Sequence, residues 1–244
     1  DSYRDYVGLE RFGVNPSATF SPTDNSDIVV SYERFSDERT VDRGVPSQNG
    51  LPFAGDRSAF FGDPRASYMT ADVNLATMAI EHRITPTLSL KNRTVFADYD
   101  KYYQNRFART SIAADGSVGL QSYASGADRR NFFNQTDLVW EGALAGMNHT
   151  FLAGMEFGRQ NTDNTRTVNS NLGSVTIAAP TLFGAPLALA AQSDNRVEVG
   201  LAAFYVQDQI EVTEFLQLVG GVRFDSFDLK YVDQLSPTTL RRKD

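Results

Sequence analysis

Alternation of apolar and polar residues with period two runs through most of the chain. From Phe12 to Phe20, the residues Phe12, Val14, Pro16, Ala18 and Phe20 fall on one side, and Gly13, Asn15, Ser17 and Thr19 fall on the other. That is the spacing of a strand with one face in an apolar medium. The polar cluster Ser21–Ser26 predicts a turn into a second strand over 28–35. A stretch rich in Gly and Pro, Gly44–Pro64, is far longer than a hairpin connection needs. The alternation resumes at Ala71–Leu75, turns at Thr85-Pro86-Thr87 and continues from Leu88 to about Tyr103. A polar segment, 115–128, reads as a loop before a strand around 135–141. Gly146 marks a tight turn into Thr150–Phe157, and a long connection, 161–195, follows. A strand near 197–212, a turn at Thr213-Glu214-Phe215 and a strand near 216–231 complete the pattern. The reading is all-β: about eight antiparallel strands in up-and-down order, with short turns at one end and long loops at the other.

That asymmetry, with charged residues such as Glu33, Asp137, Glu141, Glu156 and Arg223 opposite the apolar positions, fits the wall of a transmembrane barrel with a hydrated lumen. Alternation predicts Phe12, Val14, Val222 and Phe224 toward lipid and Asn15, Glu156 and Arg223 toward the lumen. No uninterrupted apolar stretch reaches the length of a transmembrane helix. The richest, Ile177–Ala191, contains Pro180, Gly184 and Pro186 and is expected to pack as a loop.

Composition narrows the functions. With 23 Lys and Arg against 30 Asp and Glu, the net charge is −7, which argues against nucleic acid as a partner. Cysteine is absent, which removes disulfides, thiolate metal sites and cysteine nucleophiles. His82 and His149 stand next to short turns with no zinc-ligand spacing or nucleophile elbow beside them, so both read as structural, and no catalytic residue is assigned. Asp24-Asn25-Ser26-Asp27 lacks the glycine and distal glutamate of a calcium loop and reads as a turn.

The words Glu10-Arg11-Phe12-Gly13-Val14-Asn15-Pro16-Ser17, Val30-Ser31-Tyr32-Glu33, Asp42-Arg43-Gly44-Val45-Pro46 and Phe60-Phe61-Gly62-Asp63-Pro64 follow one another in the first quarter of the chain. Glu81-His82-Arg83, Leu152-Ala153-Gly154-Met155-Glu156, Tyr205-Val206-Gln207-Asp208-Gln209 and Gly221-Val222-Arg223-Phe224-Asp225 continue the series. Their order and spacing resemble TonB-dependent outer-membrane siderophore receptors, most closely the catecholate type. The resemblance implies a barrel of about 22 strands closed by an N-terminal plug, of which residues 1–244 would supply an internal part without the plug. It also implies location in the bacterial outer membrane, lipid as surroundings, the TonB complex as energy source, and a ferric siderophore, of catecholate type, as cargo. Iron would arrive already chelated, so no resident cofactor or metal site is expected, and the activity would be transport rather than catalysis. The final residues 240–244 read as a loop toward a further strand, and the first and eighth strands should be open edges. A small closed barrel of these eight strands, structural or adhesive, is the alternative.

Candidate ligand residues follow from the chemistry of an anionic, aromatic chelate, which guanidinium charge and ring stacking complement. Arg43, Arg57, Phe60 and Phe61 lie in the first long loop, a ligand-side candidate as a whole, although any single one of them is more simply read as fixing the loop's shape. Tyr99, Tyr102, Tyr103, Arg106 and Arg109 form a second group near the outer end of the fourth strand. Tyr102, Tyr103 and Arg106 are the candidates there, against the reading of tyrosines as an interfacial belt.

Overall fold

The computed structural model describes residues 2–184 and 186–244. The described residues form thirteen strands: β1 (Leu9–Val14), β2 (Ser17–Thr23), β3 (Ser26–Thr40), β4 (Ser47–Gln48), β5 (Leu51–Pro52), β6 (Tyr68–Thr85), β7 (Leu88–Ala108), β8 (Ser117–Leu144), β9 (Met147–Asn169), β10 (Ser174–Thr176), β11 (Ala190–Thr213), β12 (Leu216–Asp233) and β13 (Thr239–Lys243). A 3-10 turn, Pro64–Ala66, precedes β6. No helix among the described residues is long and apolar enough to cross a membrane.

The long strands form one antiparallel sheet in chain order, β3-β6-β7-β8-β9-β11-β12, with β1 and β2 end to end along β3 and with β13 on β12. β1 and β2 keep one register against β3, since Val14 pairs with Arg34 and Ser17 with Ser31. They act as a single edge strand interrupted at Pro16, which has no N–H but whose carbonyl accepts from the Tyr32 amide at 3.0 Å. The two ends of the sheet do not pair with each other, so the closed eight-stranded barrel is not formed.

Four two-residue turns lie at one end, at 24–25, 86–87, 145–146 and 214–215. Gly146 (φ 83°) follows Ala145 (φ 54°), giving the left-handed pair that matches the twist of a two-residue hairpin. The long connections, 41–67, 109–116 and 170–189, lie at the other end. Several expectations are corrected. Residues 117–128, read as a loop, are the first half of β8, a strand of 28 residues. Residues 240–243, read as part of a loop, belong to β13, which pairs with 228–232, so the outer part of the eighth strand is not an open edge. The long connection also shrinks, because β9 runs to Asn169 and β11 begins at Ala190.

Side chains divide cleanly between two faces. On the outer face, Phe20, Ile28, Ile80, Asn92, Thr136, Met155, Phe204 and Phe224 are successive cross-strand partners. Large exposed apolar residues gather here: Val30, Met78, Phe96, Phe132, Leu138, Phe151, Phe157, Val206, Val222 and Phe224. On the inner face one row reads Asp27, Glu81, Lys91, Asp137, Gly154, Tyr205, Arg223. Asn15 and Glu156 share that face, as expected. Along β8 the apolar band runs from Leu144 to Phe132, roughly 40 Å of strand and, at the usual tilt, about 30 Å of height, enough for an apolar band of about 25 Å.

Above the band the outer face turns charged, with Arg34, Asn74, Asp98, Arg130, Asn161, Glu198, Lys230 and Arg241 in one row. Val14 stands in this row, and Phe12 in the next with Asp72, Asp100, Asp128 and Asp163. Both have the expected face, but they lie above the band that holds Val222 and Phe224.

Candidate functional site

The inner face at the long-loop end concentrates positive charge and aromatic rings. Its uppermost rows across β1–β11 read Arg11, Asp37, Ala71, Lys101, Ala127, Asn164, Asn195, and then Leu9, Arg39, Met69, Tyr103, Ser125, Arg166, Ser193. The one carboxylate in these two rows, Asp37, is buried and accepts from Arg39 and Arg11, each at 2.7 Å. The Arg39 hydrogen bond above all, with that of Arg11, outweighs burial and holds the Asp37 carboxyl below its usual range. Arg39, Arg11, Lys101 and Arg166 therefore leave this surface cationic.

Arg43, delivered by the 41–67 connection, completes the cluster. Its guanidinium carbon stands 4.1 Å from the Phe107 ring centre and 5.3 Å from that of Tyr123, and it donates to the Tyr123 hydroxyl. Arg166 lies on the Tyr123 ring at 4.2 Å, while its Nη1 donates to Ser125 at 3.1 Å and its Nε to Gln192 at 2.7 Å. Tyr103 stacks on Tyr123 with ring centres 5.2 Å apart and planes 18° apart. These groups stand beyond Phe96, where the apolar part of β7 ends. Burial pushes the Tyr103 phenol up, but hydrogen bonds from Tyr123, Arg43 and Asn105 prevail and bring it below its ordinary value. Tyr123 is raised, by burial first and by Tyr103 next. A concavity of about 460 Å³ opens beside them, bordered by Met69, Lys101, Tyr103, Ser125, Asn164 and Arg166.

Of the residues singled out from sequence, Arg43 and Tyr103 meet in this cluster. Tyr102 alternates to the opposite face, where its ring lies 5.6 Å from Tyr68 and its hydroxyl donates to Gln104. Arg106 shares that opposite face; it is buried, with Asp63 at 4.0 Å. Phe60 and Phe61 are buried, and Phe61 joins Ala59, Ile112, Val118, Leu120 and Val175 in a small apolar core under the loops. Arg57 is exposed, and its carbonyl accepts from Arg4. The 177–191 insert packs only in part: Leu182 rests on the loop core, Thr181 donates to the Phe60 carbonyl at 2.9 Å and the Gly184 amide to Asp63 at 2.9 Å, while Ile177 and Phe183 stay exposed. Ala185, within that insert, lies outside the described residues. Tyr123, Arg166, Arg39 and Lys101 were not singled out from the sequence.

Lower on the inner face, the sequence words converge. The Tyr205 hydroxyl donates to Asp137, Gln135 bridges the two at 2.9 Å each, and Arg223 joins Glu156 at 2.8 Å to Asp225 at 2.9 Å. Tyr205 reaches Asp137 across Gly154, where any Cβ would overlap the ring. His82 and His149 hydrogen-bond different neighbours, Ser26 at 2.7 Å and Asp208 at 2.8 Å. No group of three potential metal ligands occurs among the described residues.

Comparison with known proteins fits this architecture. Residues 2–244 match the family model described as TonB dependent receptor-like, beta-barrel. The chain is 26% identical over 232 residues to the metal-pseudopaline receptor CntO of Pseudomonas aeruginosa, covering 92% of this chain and 32% of that protein. It is 25% identical over 255 residues to the catecholate siderophore receptor Fiu of Escherichia coli O157:H7, covering 95% and 33%. It thus spans about a third of the length of these relatives. Among solved structures, the open form of Fiu from E. coli K12 superposes with a TM-score of 0.82 at 22% identity, covering 100% of this chain and 44% of that one. The siderophore receptor PiuA of Acinetobacter baumannii gives 0.80 at 20% identity, covering 98% and 39%. An open antiparallel wall with an apolar outer band, a polar inner face and loops gathered at one end is therefore the barrel wall of an outer-membrane protein, and the chain belongs to the TonB-dependent receptor β-barrel family.

Proposed function

We propose that this chain forms part of the wall and outer vestibule of a receptor that takes up ferric siderophores across a bacterial outer membrane, driven by the TonB complex. The remaining wall and the plug belong, in this reading, to the rest of the receptor. The carrying observation is the cationic, tyrosine-rich inner surface at the long-loop end, where Arg43, Arg166, Lys101 and Arg39 surround stacked Tyr103 and Tyr123. A ferric catecholate is anionic with flat rings. Guanidiniums answer its charge, and tyrosines supply faces for stacking and phenols for hydrogen bonds. Iron enters and leaves inside its chelate, so the reading needs no protein ligand to iron, no resident cofactor and no covalent step. The relatives' names, catecholate siderophore receptor and metal-pseudopaline receptor, support chelated metal as cargo.

The test is equilibrium binding of ferric catecholate and of a neutral ferric hydroxamate to the full-length receptor. Arg43→Gln and Arg166→Gln should each weaken the catecholate about tenfold, roughly 1.4 kcal/mol, and the neutral chelate much less. Tyr103→Phe should weaken it severalfold, and Tyr102→Phe, on the opposite face, should change nothing. Equal losses for both chelates would remove the charge argument.

A further inference from the structure

On the inner face, at the β1 edge of the sheet, Arg11 on β1 and Arg39 on β3 flank Asp37, the cross-strand partner of Arg11. The Asp37 side chain is fully buried, whereas those of Arg11 and Arg39 are 48% and 40% exposed. Each arginine donates through its Nε, Arg11 to Oδ2 and Arg39 to Oδ1 of Asp37, both at 2.7 Å. Both carboxylate oxygens are thus engaged, while the Nη groups of the two arginines hydrogen-bond nothing among the described residues. Two guanidiniums that share one carboxylate keep one positive charge in excess. The Arg11 guanidinium carbon also stands 5.6 Å from the ring centre of Phe35, one row below. Arg43 and Arg166 are held differently, for both lie over aromatic rings and donate to uncharged oxygens.

We infer that Arg11 and Arg39 form a subsite for a free carboxylate carried by the chelate, with Asp37 as its positioning residue. The inference rests on the vestibule reading and narrows its cargo to chelates with a carboxylate that iron does not use. A carboxylate brings the single negative charge that the pair lacks, and its two oxygens accept from the Nη groups of the two arginines. Iron-bound catecholate oxygens suit these donors less, because lone pairs are committed to the metal; their rings belong on Tyr103 and Tyr123. Arg39, Met69 and Tyr103 are successive cross-strand partners, so the subsite stands two strand spacings, about 10 Å, from that ring platform. Asp37 acts through the arginines. A loose arginine surrenders rotamer freedom when it grips an anion, and the buried carboxylate has already fixed both side chains in the folded protein. Asp37 therefore favours anion binding although it is itself an anion, opposite in sign to what its charge alone dictates.

The experiment measures equilibrium binding of two probes to the full-length receptor: a ferric tris-catecholate whose linker bears a free carboxylate, and its methyl ester. Three catechols saturate the iron, so the carboxylate is not a metal ligand. The free acid should bind about tenfold more tightly than the ester. R11Q and R39Q should each abolish that preference and change ester binding by no more than about twofold. R39K keeps the charge without the planar fork and should lose most of the preference. D37N makes the surface more positive, yet it should shrink the preference by loosening both arginines. A purely structural Asp37 would move acid and ester alike, and R39K keeps the subsite testable should D37N fold poorly. Tighter binding of the acid by D37N would remove the positioning role. Equal binding of acid and ester to the unaltered receptor, or a preference untouched by R11Q and R39Q, would overturn the subsite while leaving the vestibule reading standing. Failure of both probes to bind would defeat that reading and the subsite with it.

Discussion

Gly154 provides the flat ground on which the Tyr205 ring crosses β9 to reach Asp137. Gly154→Ala should push the ring away, leave Asp137 short of a donor and cost about 1–3 kcal/mol. A fall in the unfolding midpoint of the full-length receptor would register it, and an unchanged midpoint would contradict the role given to the glycine. The same scale shows what could be read from sequence at the vestibule. Arg43 and Tyr103 stood out because rings and guanidiniums lay close together along the chain. Tyr123 and Arg166 did not, since Tyr123 falls within 117–128 and Arg166 within 161–169, both read as connections although both are strand. Phe60 and Phe61 had the right chemistry for a ligand and the wrong exposure, which only the packing of Ile112, Leu120 and Val175 around Phe61 reveals.

Strands were most legible within the apolar band and less so above it. Alternation is plainest where one face meets an apolar medium, so Leu138 and Trp140 betrayed β8, whereas in its outer half Val118, Leu120 and Tyr123 stand among Ser, Gly, Ala, Gln, Asp and Arg. The hydrogen-bonded ladder continues regardless, and β7 and β8 pair from Leu88 with Trp140 to Ala108 with Leu120. One polar interruption within the apolar band has its own logic. Asn92 donates to Thr136 at 2.7 Å and to Asn134 at 3.3 Å, Asn134 donates to Thr94 at 2.7 Å and to Asn92 at 3.3 Å, and the two threonines return bonds to the asparagines at 3.2 and 3.3 Å. Every side-chain donor of the four residues is used within the group, so hydrocarbon meets a closed ring of bonds. Asn92→Leu alone should cost about 1–3 kcal/mol by stranding its partners. Replacing all four with Leu and Val should cost less than the sum of the single changes, a difference that a mutant cycle on receptor unfolding resolves. Additive costs would show four independent residues.

At the scale of the molecule, the two faces and the height of the band predict chemical access in intact cells. Cysteines replacing Val222 and Phe224 in the full-length receptor should resist a water-soluble maleimide. Cysteines at Phe12 and Val14, level with charged rows, should react readily, and one at Arg223 should react from the lumen. Protection at position 12 equal to that at 224 would raise the band and refute its placement. The loop core has a consequence of a different kind. Phe61, from the first long connection, is locked to Val175 and Leu182 of the third, while the Gly62 amide donates to Pro180 at 3.1 Å and the Leu182 amide to Gly62 at 2.9 Å. Segments more than a hundred residues apart thus open together or not at all, so their amides should exchange with deuterium at one common rate. Phe61→Ala should accelerate the amides of 59–62 and 172–182 alike. For an arriving ligand this means a rim assembled in advance, whose ordering entropy was lost when the protein folded, so that encounter does not wait on loop organisation.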